Sequence, residues 1–267
     1  MGYLYLDDQS ILTYFGFKFN KGGTHTRRTM MLDELSLLLS YISDNYATRE
    51  DYIRAIYEDN CLNKRSGNNR KFTATYLTEL YALDPNILLF RSLLYFWQRE
   101  EKAHPLLALI CAYCRDPLLR SSAPCIFNSM EGDAVNKLTL ENHISKQLPD
   151  RFSNNTLSSI VRNINATWTK SGHLKGHSKK IRSRAKATPA ATAYALLISY
   201  LRGARGEAIF QSEYMLLLDC SGEIAMELAT EASRRGWMVF KRIGNVMEVQ
   251  FPNLLTEEEM EWVYEQN

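Results

Sequence analysis

The chain has 267 residues, 45% of them hydrophobic, and a formal net charge of +2. This size and composition allow a substantial buried core. The longest apolar runs are too short to span about 30 Å of hydrocarbon, and the N-terminus MGYLYLDDQS lacks the basic and apolar regions of a signal peptide. Five cysteines, an odd number, favour a reducing compartment over a disulfide framework. We therefore expect a cytoplasmic protein without membrane association.

Charge is segregated along the chain. Residues 151–206 contain eleven Lys and Arg and no Asp or Glu, whereas residues 207–267 contain four basic and twelve acidic residues. Clustering of this kind favours a polyanionic partner for the basic segment. The alternative is a solvated charged surface without a partner.

Residues 1–84 are predicted to form a helical module with a helix-turn-helix. Residues 32–42 are densely apolar, and Thr48 with Asp51 predicts a capping box at the start of a second helix. The stretch NKRSGNNR, residues 63–70, has the composition of a turn. Apolar residues then recur at spacings of three and four: Phe72, Tyr76, Leu80 and Leu83.

Residues 85–137 are predicted to form a central helical scaffold of two or three helices. Prolines at 105, 117 and 124 are expected to interrupt these helices, and residues 130–137 to form a loop or linker.

Residues 138–206 predict a basic module. Thr139 is expected to cap a short helix, and Ser153 a longer one that ends at Gly172. One face of the longer helix is apolar: Leu157, Ile160, Val161, Ile164 and Trp168. The opposite face is polar: Asn155, Ser158, Ser159, Arg162, Asn165, Thr169 and Lys170.

A basic hairpin is predicted to follow this helix. Residues 173–184 have room for two short strands around Gly176, and Thr188 with Pro189 predicts the start of another helix. The order of the predicted elements is that of a winged helix: a helix, a turn, a longer helix and a basic hairpin.

Residues 207–267 predict an acidic helix and a second hairpin. Ser221 is expected to cap the helix and Gly236 to end it, and Gly244-Asn245 suits a two-residue turn. Because the surroundings are acidic, this hairpin is not expected to contact nucleic acid. The predicted fold class is mainly α: two winged-helix or helix-turn-helix-like modules around a central helical region, with a small C-terminal β-hairpin.

The basic and polar side chains of the two modules are candidate DNA-binding residues. Lys and Arg neutralise phosphates, while Asn, Ser and Arg on an exposed helix face can also bond to base edges. The candidates are Lys64, Arg65, Arg70, Lys71, Asn155, Ser158, Ser159, Arg162, Lys170, Lys175, Lys179, Lys180, Arg182, Arg184 and Lys186. A further, weaker cluster comprises Lys18, Lys21, Arg27 and Arg28, around GGTHTRR.

Other chemistry is poorly supported. Cys111 and Cys114 form a CxxC in an apolar helical run without further ligands at zinc spacing, so buried thiols are favoured. Glu223, Glu227 and Glu231 indicate an exposed acidic face rather than catalytic carboxylates, and no phosphate-loop, dinucleotide or HExxH motif occurs. We expect a non-enzymatic protein with no catalytic residues, no metal, no cofactor and no small-molecule substrate.

Several segments resemble the BrxA family of bacterial BREX phage-defence systems. They are DYIRAIYEDNCLNKRSGNNRKFTATYLTELYAL, and then, in order, KSGHL, a basic hairpin, TPAATAYALL and GWMVFKRIGNVMEVQF. The resemblance implies a small, mostly helical, non-enzymatic protein that binds double-stranded DNA within a multi-protein defence complex. The DNA contacts that the resemblance implies fall on the basic turn at Lys64 and Arg65, on Arg162, and on residues 170–184.

The function predicted from the sequence is therefore duplex DNA binding, largely through phosphates, in an accessory component of a defence complex with other proteins. An RNA partner also remains open, because charge alone does not distinguish RNA from DNA, and two other functions remain as alternatives. One is a transcriptional repressor, which requires a symmetric dimer and a palindromic site. The other is a protein-interaction scaffold whose acidic segment docks a basic partner.

Overall fold

A computed structural model describes residues 8–19, 22–42, 44, 46–244 and 246–265. The protein is mainly α-helical, as predicted. The helices are α1 (Asp8–Tyr14), α2 (Leu32–Tyr41), α3 (Arg49–Tyr57), α4 (Gly67–Tyr81), α5 (Leu88–Trp97), α6 (His104–Arg115), α7 (Pro117–Phe127), α8 (Lys137–Gln147), α9 (Asn154–Lys170), α10 (Pro189–Leu201), α11 (Glu213–Leu216), α12 (Gly222–Arg234) and α13 (Glu257–Glu265). None of the described helices combines the length and apolar character needed to cross a bilayer.

The strands form two antiparallel hairpins. The first pairs β1 (Leu174–Lys175) with β2 (Ile181–Arg182), and the second pairs β3 (Val239–Ile243) with β4 (Val246–Gln250). Both hairpins lie where the sequence predicts them.

The chain divides into two compact units. Unit 1 comprises Met1–Lys18, Asn86–Ile110 and Lys186–Asn267, and unit 2 comprises Phe19–Pro85 and Cys111–Ala185. These units do not follow the four segments of the sequence. The basic segment 138–206 is divided between them, and its last helix, α10, belongs to unit 1.

Unit 1 is built around α10, all thirteen residues of which are buried. The Thr188 hydroxyl caps this helix by accepting the Ala191 N–H, and Pro189 occupies its first turn, as predicted. The Tyr194 hydroxyl donates to the Leu89 carbonyl at 2.9 Å, and α10 packs against α5, α11 and α12. A helix that is apolar on every side is stable only when it is surrounded by other elements.

The C-terminal hairpin also belongs to unit 1. It packs on α12 and on the 3₁₀ helix Gly206–Gln211, and Phe251 directly after β4 is buried. Ser221 caps α12 and Gly236 follows it with a φ of 73°, both as predicted. Of the predicted turn residues, Gly244 has a φ of 60°, while Asn245 lies outside the described residues.

Unit 2 contains a helix-turn-helix formed by α3 and α4. The predicted capping box is confirmed: Thr48 N–H donates to the Asp51 carboxylate at 2.8 Å, and the Thr48 hydroxyl accepts the Asp51 N–H. The predicted turn was too long, because Ser66 caps α4 and residues 67–70 form its first turn. The buried residues of α4 are Thr73, Ala74, Leu77, Leu80 and Tyr81.

Unit 2 also contains a winged helix in the order α7, an extended segment, α8, α9 and the hairpin β1–β2. The extended segment, residues 132–135, pairs with β2: Val135 N–H donates to the Lys180 carbonyl at 2.9 Å, and Arg182 N–H to the Asp133 carbonyl at 2.8 Å. This segment was predicted to be a linker. Because it pairs with β2, this segment adds a third extended chain beside the two strands of the hairpin.

Two helix boundaries differ from the prediction. Pro124 lies inside α7, where burial of Leu118, Leu119 and Ile126 offsets the cost of about 3 kcal/mol of an interior proline. α8 starts at Lys137 instead of after Thr139, because the Asn136 side chain accepts the Leu138 N–H.

Candidate nucleic-acid interface

Helix α9 is oriented by its buried face. Ser153 caps it by accepting the Thr156 N–H, as predicted. Trp168 is fully buried, and its indole N–H donates to the Ser122 hydroxyl on α7 at 2.8 Å. On the other side of α9, Asn155 and Arg162 are exposed. The helix is therefore held firmly while its polar residues face solvent.

The polar face of α9 is narrower than its sequence indicates. Ser158 and Ser159 are half-buried, and Arg162 donates to the Ser159 hydroxyl at 3.3 Å. Asn165 was placed on the exposed face, but only 7% of it is exposed.

The hairpin β1–β2 presents a basic loop, residues 176–180, which we call the wing. Gly176 has a φ of 93°, and a Cβ there would lie 2.3 Å from the Lys179 carbonyl oxygen, so the tight turn requires glycine. Lys175 and Lys179 are exposed on either side of this turn, and the Lys180 ammonium donates to the Gly176 carbonyl at 2.7 Å. The wing and the strand residue before it thus hold three lysines close together.

Arg182 does not belong to the exposed surface. It is 5% exposed, and its guanidinium donates to the carbonyls of Ile126 and His173 and contacts the Phe127 ring. A side chain committed to these buried acceptors cannot reach a phosphate. Arg182 joins the hairpin to the end of α7, and we remove it from the predicted interface.

Two other predicted cations are exposed but ion-paired. Lys170 lies 2.8 Å from the Asp33 carboxylate, and the Arg184 Nε lies 3.0 Å from the Glu131 carboxylate. Exposed pairs of this kind are weak, contributing about 0–1 kcal/mol, so each cation can exchange its partner for a phosphate at small cost.

A groove lies between α9, the wing and the segment 134–137. This groove, which we call the wing groove, has a volume of about 810 Å³. Four cations line it, namely Lys137, Arg162, Lys179 and Lys180, and none of the described residues lining it is acidic. The Lys137 ammonium lies 3.4 Å from the Glu141 carboxylate outside the groove. The arrangement concentrates positive charge in a concave site.

The cations around α4 have unequal surroundings. Lys64 is half-buried and lies 3.0 Å from the Glu34 carboxylate, and the Arg70 guanidinium donates to the Tyr57 carbonyl at 2.9 Å. Arg65 and Lys71 are exposed. Arg70 was predicted in the turn but lies in α4.

Lys186, the last predicted DNA-binding residue, is exposed and belongs to unit 1. The basic residues of the cluster near the N-terminus also differ in their surroundings. Arg27 is exposed, the Arg28 guanidinium lies 5.3 Å from the centre of the Tyr76 ring, and Lys21 lies outside the described residues.

The stretch GGTHTRR contains a buried network that charge counting missed. His25 lies between the Asp116 carboxylate and the Thr167 hydroxyl, each 2.8 Å from one ring nitrogen. The three residue types are those of a hydrolase triad, yet all three side chains are buried, and the Thr167 hydroxyl also accepts the Met30 N–H. The network joins segments of unit 2 and is not accessible to a substrate.

The remaining candidates behave as structural groups. Cys111 and Cys114 are fully buried, which confirms the prediction of buried thiols for the CxxC. Within the described ranges, no group of three or more His, Cys, Asp or Glu is placed to hold a metal ion. On α12, Glu223 and Glu227 are exposed, and Glu231 pairs with Arg235 at 2.9 Å.

Comparison of the sequence with protein-family models gives no match, and comparison with curated proteins gives none either.

Proposed function

We propose that this protein binds double-stranded DNA through unit 2, without catalysing a reaction, as an accessory component of a bacterial BREX-type phage-defence complex. The observation that carries the proposal is the wing groove, where four cations and no described acidic residue line one concave surface beside the exposed face of α9. Each Lys or Arg that neutralises a phosphate releases condensed counterions, so such a surface favours a polyphosphate backbone.

The surroundings of the groove support a duplex as the partner. Asn155 and Arg162 are exposed on α9, and Lys175 and Lys179 on the hairpin, so a helix and a wing are available together. In winged-helix proteins this combination allows the helix to enter the major groove while the wing contacts the backbone. Asn and Arg on such a helix suit adenine and guanine, respectively.

The defence role follows from the resemblance of the ordered sequence segments to the BrxA family. It implies protein partners in addition to DNA, and duplex binding with limited sequence readout. Footprinting distinguishes this role from a repressor, because a repressor protects two sharp half-sites related by symmetry, whereas phosphate-dominated binding protects DNA of varied sequence.

The experiment is a salt titration of duplex binding by fluorescence anisotropy. The variant Lys175→Gln/Lys179→Gln is expected to weaken binding and to reduce the slope of log K against log salt by about 0.9 for each phosphate that the variant no longer neutralises. The matched control is Arg234→Gln/Lys241→Gln, which removes two exposed cations from unit 1. An unchanged slope in the wing variant, or an equal reduction in the control, contradicts the proposal.

A further inference from the structure

Helix α4 carries an exposed aromatic pair that the phosphate contacts proposed for DNA do not use. The rings of Phe72 and Tyr76, one helical turn apart, are nearly parallel, with an interplanar angle of 23° and centroids 6.4 Å apart. Phe72 is 51% exposed, and Tyr76 is half-buried. Asn68, one turn before Phe72, is exposed on the same side of the helix. We call these three residues the aromatic strip.

The surroundings of the aromatic strip are positively charged. Residues 64–81 contain four Lys and Arg and one acidic residue, Glu79. From the segment before α2, the Arg28 guanidinium lies 5.3 Å from the centre of the Tyr76 ring, and Arg27 beside it is exposed. The strip therefore combines a flat apolar surface with neighbouring cations, which favour an anionic ligand.

This combination limits the class of ligand. The cores of protein–protein interfaces are depleted of charged residues, so a protein partner fits a small aromatic surface among cations poorly. The bases of a duplex are stacked on one another and do not expose their faces. Unpaired bases do expose them, and proteins that bind single strands combine aromatic platforms with cations along the backbone. Stacking of one base changes the affinity by about fivefold to 150-fold.

We propose that the aromatic strip binds unpaired bases of single-stranded DNA. One base stacks on the exposed face of the Phe72 ring, and the Asn68 amide bonds to the edge of a base. The flanking phosphates lie toward Arg28 and toward Arg65, which is exposed just before α4. The choice of DNA over RNA rests on the proposed function, whereas the stacking site does not.

The test compares two single strands of equal charge. Binding of the full chain to a labelled oligothymidylate of about twelve nucleotides is measured by fluorescence anisotropy, alongside a strand of the same length whose sugars carry no bases. Both strands present the same phosphates, but only oligothymidylate offers rings for stacking. Oligothymidylate is expected to bind more tightly by about fivefold or more. Equal affinities for the two strands would overturn the site.

Variants at exposed aromatic positions of unit 2 locate the site. Phe72→Leu is expected to weaken oligothymidylate binding by about fivefold or more and to change binding of the base-free strand less than twofold. Phe72→Trp keeps an aromatic face and is expected to retain the affinity. The control Tyr46→Leu, at a side chain that is 91% exposed, should change either affinity less than twofold. Unchanged oligothymidylate binding by Phe72→Leu, or an equal loss for both strands, contradicts stacking on this ring.

Oligouridylate and a blunt duplex are measured with the same protein samples. Oligouridylate that binds at least tenfold more tightly than oligothymidylate would overturn the choice of DNA. If the duplex binds while oligothymidylate and the base-free strand have equal affinities, the site is wrong and the proposed function stands. If the duplex does not bind but the preference for bases depends on Phe72, the proposed function is wrong and the site stands. When both hold, Phe72→Leu weakens oligothymidylate binding and changes duplex binding less than twofold.

Discussion

The His25 Nδ1 lies 2.8 Å from the Asp116 Oδ2, and both side chains are almost completely inaccessible to solvent. The same carboxylate accepts the backbone N–H of His25 and, through its other oxygen, the N–H groups of Leu118 and Leu119 at the start of α7. Asp116 therefore caps a helix of the winged helix while it fixes the segment that leads into α2. One residue thus joins the start of α7 to the segment that precedes α2.

Replacing Asp116 with Asn tests how much the interaction between Asp116 and His25 stabilises the fold. Burial raises the pKa of Asp116. The interactions with His25 and with the Leu119 N–H lower this pKa by more than burial raises it, so the pKa of Asp116 is below its ordinary value. Asn still caps α7 but presents an amide to His25. We expect Asp116→Asn to lower the free energy of unfolding by about 3 kcal/mol at neutral pH, measured by urea denaturation.

The pH dependence has a defined sign. A carboxyl group with a lowered pKa stabilises the fold above its unfolded pKa of about 3.9, and this contribution disappears as the pH falls through the folded pKa. The difference between wild type and Asp116→Asn should therefore shrink as the pH falls in acid through the folded pKa of Asp116. The control Asp33→Asn, at an exposed pair with Lys170, should change stability by no more than about 1 kcal/mol. A difference that persists unchanged in acid would contradict the assignment.

Gly23 is required by the same carboxylate. A Cβ at this position would lie 2.2 Å from the Asp116 Oδ1, whereas nothing lies within 4 Å of a Cβ built at Gly22. The Gly23 backbone is extended, with a φ of 173°, so the cost of a side chain is steric. We expect Gly23→Ala to lower stability by about 1–3 kcal/mol and Gly22→Ala to stay within about 0.5 kcal/mol, measured by thermal and urea unfolding. Equal effects of the two variants would show that Asp116 can move aside.

Local signals in the sequence predicted much of unit 2. The caps at Thr48 and Ser153 and the left-handed glycine after α9, Gly172, were predicted correctly, because caps and glycine turns depend on neighbours within a few residues. The burial of Arg182 was not predictable in this way, since its acceptor, the Ile126 carbonyl, is 56 residues away. His25 was missed for the same reason: its partner Asp116 is 91 residues away.

Arg182 and Arg184 are two positions apart in the sequence and provide a matched pair. Arg182 donates to buried carbonyls, whereas Arg184 is 63% exposed and pairs with Glu131. We expect Arg182→Gln to lower the free energy of unfolding by about 3 kcal/mol, because buried carbonyls lose a charged donor, and Arg184→Gln by no more than about 1 kcal/mol.

The two variants should also differ in duplex binding, measured below the melting temperature of each. Arg182→Gln is expected to leave the salt dependence of DNA affinity unchanged as long as the protein is folded, while Arg184→Gln reduces it slightly. If the folded Arg182→Gln protein shows a reduced slope of log K against log salt, Arg182 contacts DNA and its removal from the interface is wrong.

The cations of α4 should differ from one another in their contribution to DNA binding. Arg65 is exposed just before the helix, whereas Lys71 lines a groove between α3 and α4 that also contains three carboxylates and two further cations: Glu50, Glu58, Glu79, Arg49 and Arg54. Nearby carboxylates compensate the charge of Lys71, so fewer counterions are released when it meets a phosphate. We expect Arg65→Gln to reduce the slope of log K against log salt by about 0.9 and Lys71→Gln by clearly less.

Combining Arg65→Gln with the wing variant Lys175→Gln/Lys179→Gln tests whether α4 and the wing contact the same duplex. If they do, the reductions in slope add, because each contact releases its own counterions. Adding Arg65→Gln to the control pair in unit 1 should reduce the slope by the Arg65 contribution alone. A combined variant whose slope equals that of the wing variant would mean that DNA bound at the wing does not reach Arg65, and would leave α4 outside the interface.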